Sequence, residues 1–275
     1  MTTALRPLST GELLDRTFSL YRSHFVLFVG IYALPRLSVL AFQCLALPYQ
    51  SPTAGIAQVL STLSWALGAL VLSVVVTSVS HAATVVAVSQ VYLDRPASVM
   101  DSFSKVKHQI AGVIGLSLSV GFLVGLACFA FIVPGVLLAI QWSLAVPVKV
   151  LENKSVGDSM SRSSGLTKGS RGRIFVIWLL FVVLAFGIGM LVQWPIQLGA
   201  GVGARGALRH VTLGWQVASL VATFLSECLV GPLITIAFSL VYYDQRVRKE
   251  AFDLQLMMTT LDAPALLSAP VEAGA

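Results

Sequence analysis

The residues best suited to chemistry in this chain are four histidines, three cysteines and a few polar groups set in apolar sequence. His24, His81, His108 and His210 fall in different segments, and none stands at metal-ligand spacing with a cysteine or a second histidine. Cys44, Cys128 and Cys228 sit inside apolar stretches, where the ordinary role of cysteine is small-residue packing. Gly201-Val-Gly203-Ala-Arg-Gly206 spells GxGxxG, but a dinucleotide fingerprint needs a strand before it and a helix after it within a βαβ unit. Between two long apolar stretches it reads as a coincidence of glycine-rich sequence. Neither a metal nor a cofactor is expected.

Two ionisable residues interrupt otherwise apolar runs. Arg36 stands near the middle of the first run and Glu227 near the middle of the last, at similar expected depth. A charge in hydrocarbon costs at least about 2.5–3.5 kcal/mol and therefore faces the protein interior or water. One reading is a buried ion pair that closes the bundle or lines a polar cavity. The other has Arg36 snorkelling beside a Pro35 kink and Glu227 protonated or facing water. Ser73, Thr77, His81 and Thr84 recur at helical spacing and place a polar stripe on one face, for helix packing or for a hydrated path. Arg36, His81, Glu227, Ser73 and Thr77 form the candidate intramembrane site.

The elements that position these groups follow from composition. Of 275 residues only 11% are charged, against about 25% in ordinary soluble domains, and 56% are hydrophobic. Such a chain cannot build a water-facing surface; it reads as an all-α polytopic membrane protein. Crossing about 30 Å of hydrocarbon at about 1.5 Å per residue takes about 20 apolar residues. The gaps between charges then give six spans, at about 25–47, 58–93, 109–132, 134–150, 174–199 and 211–243. The third and fourth form a helical hairpin turning at Pro134-Gly135, with a short second arm. The stretch from Gly55 to Leu93 has no proline and is read as one long helix that tilts or protrudes. Pro35, Pro195 and Pro232 are possible breaks within spans, and Gly121 and Gly125 form a GxxxG face available for close packing.

With six spans, every lysine and arginine except Arg36, Arg205 and Arg209 falls on one side. The positive-inside rule puts that side, and both termini, in the cytoplasm. The net charge of +6 is thus a topology signal, and no basic run has the density or aromatic interleaving of a nucleic-acid surface. Residues 1–24 predict a cytoplasmic amphipathic helix, with Leu13, Leu14, Phe18, Tyr21 and Phe25 at helical spacing and Ser9 and Glu12 placed as a capping box. Ser155 to Leu166 is a second, weaker one; residues 244–258 form a cytoplasmic amphipathic segment and 259–275 a disordered tail. Lys154, Arg162, Lys168, Arg171 and Arg173, joined by Arg246, Arg248 and Lys249, either gather a basic rim for anionic lipid headgroups or simply set topology.

Three blocks carry a resemblance: RPLSTGELLDRTFSLYRSHF at 6–25, VPGVLLAIQWSLAVPVKVLENKSVGDSMSRSSGLTKGSRGRIF at 133–175 and YYDQRVRKEAFDLQL at 242–256. Together they resemble the bacterial glycerophosphoryl diester phosphodiesterase membrane domain, the last block being the most specific. The resemblance implies residence in a bacterial plasma (inner) membrane. It also implies that Asp244, Arg246, Arg248 and Glu250 fix the exit of the last helix by pairing with the loop after span four. It brings no catalytic residue, because no matching block contains one, and a catalytic barrel would need roughly 250 further residues. The expectation is a non-enzymatic membrane scaffold or accessory component, with a membrane protein partner and the lipid bilayer as its company. The alternative is a carrier or lipid-handling protein with a polar intramembrane cavity.

Overall fold

The computed structural model describes residues 8–47, 55–203 and 213–250, and these form ten helices without a strand. Six long apolar helical segments are each able to cross a bilayer. The chain is an all-α polytopic membrane protein.

The opening helix α1 (Thr10–Ser23) starts at a complete capping box: Glu12 N–H donates to Ser9 Oγ at 3.2 Å, and Ser9 N–H donates to Glu12 Oε2 at 2.7 Å. Leu8 bonds Asp244, and Tyr21 OH donates to the Leu229 carbonyl at 2.9 Å. Fifteen residues of the last helix, about 22 Å, therefore run alongside the thirteen separating Leu8 from Tyr21, about 20 Å. The expected amphipathic helix is formed, and it packs along the last helix. Its apolar face, Leu13 and Leu20, is buried in protein together with Thr17, and Phe18 stacks on Phe181.

Helix α2 (Phe25–Ala46) continues through Pro35, and α3 (Ile56–Tyr92) is unbroken over 37 residues. Only the second half of α3 is buried, from Val76 to Gln90, whereas Ile56, Leu60, Leu63, Leu67 and Val71 are exposed to the surroundings. This division runs through the molecule. One end is a loosely packed set of apolar helices; at the other, short helices form a collar around α3 and the last helix.

The collar contains α4 (Val99–Val106), which begins where Ser98 Oγ accepts from Asp101 N–H at 3.2 Å. The hairpin follows as α5 (Ile110–Ala130) and α6 (Ile132–Gln141). Its reversal is not at Pro134-Gly135 but at Phe131, which is extended (φ −156°, ψ 135°). Pro134 belongs to the first turn of α6, where a missing N–H costs nothing. Gly135 serves contact: a Cβ there would lie 2.7 Å from the Cys128 backbone nitrogen. The second arm, expected as one helix over 134–150, breaks at Trp142–Leu144 and resumes as α7 (Ala145–Glu152). The freed Gln141 carbonyl accepts from Ser163 Oγ at 2.9 Å and from Thr167 Oγ1 at 3.3 Å. Both donors come from α8 (Val156–Thr167), capped by Ser155. Asn153, in the left-handed region at φ 48°, ends α7.

Helix α9 (Arg171–Gly203) leads to α10 (Leu213–Glu250), and both run through their prolines, Pro195 and Pro232. Helix α10 is the axis, touching α1, α2, α3 and α9. It does not give way to a separate segment at 244: it stays helical to Glu250, because Asp244, Gln245 and Val247 are buried in the collar. Residues 251–258, the tail at 259–275, and Arg205, Arg209 and His210 lie outside the described residues.

Candidate functional site

Two groups of polar residues stand out, one between the long helices and one in the collar. In the first, Arg36 on α2 and Glu227 on α10 lie side by side, with Arg36 Nε 3.1 Å from Glu227 Oε2. The contact is one of charge rather than of an aligned hydrogen bond, since the buried Nε–H makes none among the described residues. Glu227 is the more open partner, its side chain 41% exposed against 12% for Arg36.

Two open clefts meet at this pair. One, of about 480 Å³, lies toward the hairpin and is lined by Ser73, Ser117, Gly121 and Trp142, among others. The other, of about 440 Å³, lies toward α9 and is lined by Tyr32, Gly189, Gln193 and Thr223, among others. Arg36, Thr77, His81 and Glu227 border both. The polar stripe of α3 therefore divides: Ser73, Thr77 and His81 face the clefts, while Thr84 is fully buried beyond them. The Trp142–Leu144 break lies at the first cleft, since Trp142 and Ala145 line it.

Several cleft residues were not singled out from sequence. Tyr32 is buried, its OH 2.6 Å from Thr235 Oγ1 and its ring 6.0 Å from that of His81. Gln193 donates from Nε2 to Thr223 Oγ1 and to the Ser219 carbonyl. A glutamine in an apolar span was the available signal for Gln193. For Tyr32 there was none, because an aromatic residue in a span is ordinary.

Of the remaining sequence candidates, Gly121 and Gly125 have open space where a Cβ would project, so no described residue packs closely on the GxxxG face. His24 pairs with its neighbour, Nδ1 2.9 Å from Ser23 Oγ, and is not near the clefts. His108 sits in the turn before α5. Cys128 packs against Gly135, and Cys228 is buried beside Glu227 in sequence.

The collar ties its charges inward. The Asp244 carboxylate, fully buried, accepts Leu8 N–H at 2.8 Å on Oδ1, and Arg173 Nη1 at 2.6 Å and Arg248 Nε at 3.0 Å on Oδ2. Both arginines also donate to the Leu8 carbonyl. A second network closes into a ring. Arg162 pairs with Glu152 and Glu250, Arg246 Nε pairs with Glu250 at 3.1 Å and its Nη1 donates to Tyr242 OH, and Tyr242 OH donates to Glu152 Oε1 at 2.9 Å. Lys249 Nζ donates to the carbonyls of Gly165 and Lys168. Arg162, Arg173 and Arg246 are thus tied to internal partners and only part-exposed, while Arg248 makes its internal contacts from an exposed position. Arg171 and Lys168 remain exposed, Arg171 donating to Gln141 Oε1 at 3.1 Å. At α4, hydrogen bonds from Gln90 and then Lys105 hold the Asp101 carboxyl below its usual range.

Comparison with known proteins adds one finding. The family model described as the membrane domain of glycerophosphoryl diester phosphodiesterase matches residues 115–261, more than half of the chain. The match runs from within α5 through α10, including the second and third resembling blocks but not the opening one. No curated protein and no solved structure matches.

Proposed function

The chain belongs to the family of glycerophosphoryl diester phosphodiesterase membrane domains, and from that premise we propose that it is a non-catalytic membrane protein that holds the polar part of an amphipathic ligand inside the bilayer. The observation that carries this reading is the junction of two clefts at Arg36, Thr77, His81 and Glu227. A membrane protein without a ligand to place there would fill such a space with side chains, since ion pairs at bilayer depth are costly and close packing holds helices together. Adjacent cationic and anionic groups, bordered by hydroxyls and an imidazole, suit a headgroup with both charge and hydrogen-bonding capacity. The apolar tail would leave between the long helices into the lipid.

The positive-inside rule supports a cytoplasmic collar, with the clefts opening from within the membrane. A bacterial plasma membrane is the setting implied by the family resemblance. A second reading, a scaffold for another membrane protein, is favoured by the collar, whose inward-tied charges make a rigid platform rather than an adaptable one.

Native mass spectrometry of the chain extracted with its lipid in polymer nanodiscs distinguishes the two. Retention of one defined amphipathic molecule, lost in Glu227→Gln, is expected. A stoichiometric second protein with an unoccupied cleft would make the scaffold reading the better one. Hydrolysis of a glycerophosphodiester by the pure chain, abolished by a single substitution, would overturn the non-catalytic assignment.

A further inference from the structure

An apolar groove lies on the outer wall of the bundle, away from Arg36 and Glu227. Between helices α6 and α9 it has a volume of about 570 Å³ and is lined on α6 by Val133, Val136, Leu137 and Ile140 and on α9 by Phe175 and Trp178, among others. The wall is apolar throughout, and Arg171, at the first turn of α9, borders one end with its hydrocarbon stem. The contact of Arg171 with Gln141 Oε1 engages one of its several N–H groups and points to where the guanidinium sits: beside the end of α6, at the collar. Lys168, also exposed, precedes it by three residues.

We infer that this groove binds one acyl chain of an anionic phospholipid, with the phosphate of its headgroup on Arg171. Charge complementarity selects that occupant. Apolar walls alone would take any hydrocarbon, but a guanidinium at the collar end adds a bidentate partner for phosphate oxygens, and basic pockets between membrane helices on the positive side are known headgroup sites. From Arg171 to Leu179 the groove is about 12 Å long, so the chain end extends past it into bulk lipid. Gly172 lies in the wall next to Arg171 with open space at its Cβ position, so the groove floor is kept clear there by the absence of a side chain. The site shares no residue with the clefts at Glu227 and stands or falls independently of the ligand proposed for them.

Trp178 provides the readout. The chain with Trp65, Trp142, Trp194 and Trp215 replaced by phenylalanine is reconstituted into phosphatidylcholine vesicles, and brominated phosphatidylglycerol or brominated phosphatidylcholine is titrated in. Half-maximal quenching by the anionic lipid is expected at a several-fold lower mole fraction than by the zwitterionic one. That preference should vanish in Arg171→Gln, and Gly172→Leu should reduce quenching by both lipids. Equal quenching by the two lipids in the unaltered groove would mean only annular lipid contact and would overturn the proposal, as would a preference that survives Arg171→Gln. Native mass spectrometry of the chain with all its tryptophans, given equimolar phosphatidylglycerol and phosphatidylcholine, repeats the comparison without the tryptophan replacements: selective retention of one phosphatidylglycerol supports the site, and unselective retention sinks it.

Discussion

Leu8 and Asp244, 236 residues apart, are joined by a hydrogen bond of 2.8 Å from the Leu8 N–H to Asp244 Oδ1. The same carboxylate takes Arg173 and Arg248, so a single buried side chain fastens the start of α1, the start of α9 and the end of α10. Removing one member of a buried charged network leaves the others uncompensated and costs about 3–5 kcal/mol. Asp244→Ala should therefore lower the thermal unfolding midpoint in detergent more than any other single collar substitution. Asp244→Asn should follow closely, because it preserves shape but not charge. A protease should then cut α1 in the variant under conditions that spare the wild type; an α1 still protected in Asp244→Ala would show that its apolar face alone holds it.

Elsewhere in the collar, the Asp101 carboxyl is held below the usual carboxylate range by the hydrogen bond from Gln90 and then by Lys105. A depressed folded-state value means that its contribution is present above the unfolded value of about 3.9 and is lost as pH falls through the lower folded one. Amide exchange in α4 should accordingly quicken as pH drops below about 4, once corrected for intrinsic rates. Asp101→Asn should remove that pH dependence. Because Asp101 is exposed, the effect should stay local, and a global unfolding transition in the same window would point to another group.

How far such features could be read in advance depended on whether one residue or several had to be placed. Arg36 and Glu227 were legible because each is alone in an apolar run and depth follows from counting. The collar ring of Glu152, Arg162, Glu250, Arg246 and Tyr242 was not, since its members come from α7, α8 and α10 and nothing in their spacing shows which faces meet. Helix α4 was not legible because eight residues that include Asp101 and Lys105 look like a charged flank, although Ser98 and Asp101 carry the capping spacing. The hairpin reversal was placed three residues late because Pro134 marks the start of a helix as readily as a turn.

Glycine positions test the packing directly. A Cβ at Gly135 would lie 2.7 and 2.8 Å from backbone atoms of Cys128, which cannot step aside without moving α5. Gly135→Ala should thus destabilise the chain by about 1–3 kcal/mol through overpacking, despite alanine's better helix propensity. Gly121→Ala and Gly125→Ala meet nothing within 4 Å and should be neutral or stabilising by up to about 1 kcal/mol. Thermal midpoints of the three variants in one detergent decide the matter. Destabilisation at Gly121 or Gly125 equal to that at Gly135 would mean that another chain packs on that face.

The Arg36–Glu227 contact should appear as a coupling energy. If the two charges interact across their 3.1 Å, the stability losses of Arg36→Ala and Glu227→Ala will not add, and the double variant will be more stable than the sum predicts. Couplings of contacting residues run from about 0.5 to 3 kcal/mol. A value toward the lower end is expected, because the Nε–H is not aligned for a hydrogen bond and Glu227 is part-exposed to the clefts. Repeating the cycle with Thr77→Val in the background separates pairing from hydration. Thr77 borders both clefts without touching the pair in a described bond, so a coupling that grows when this hydroxyl is removed would show that polar cleft contents weaken the attraction. Strictly additive losses in both backgrounds would mean that Arg36 and Glu227 serve the clefts separately, each facing its own polar contents rather than the other.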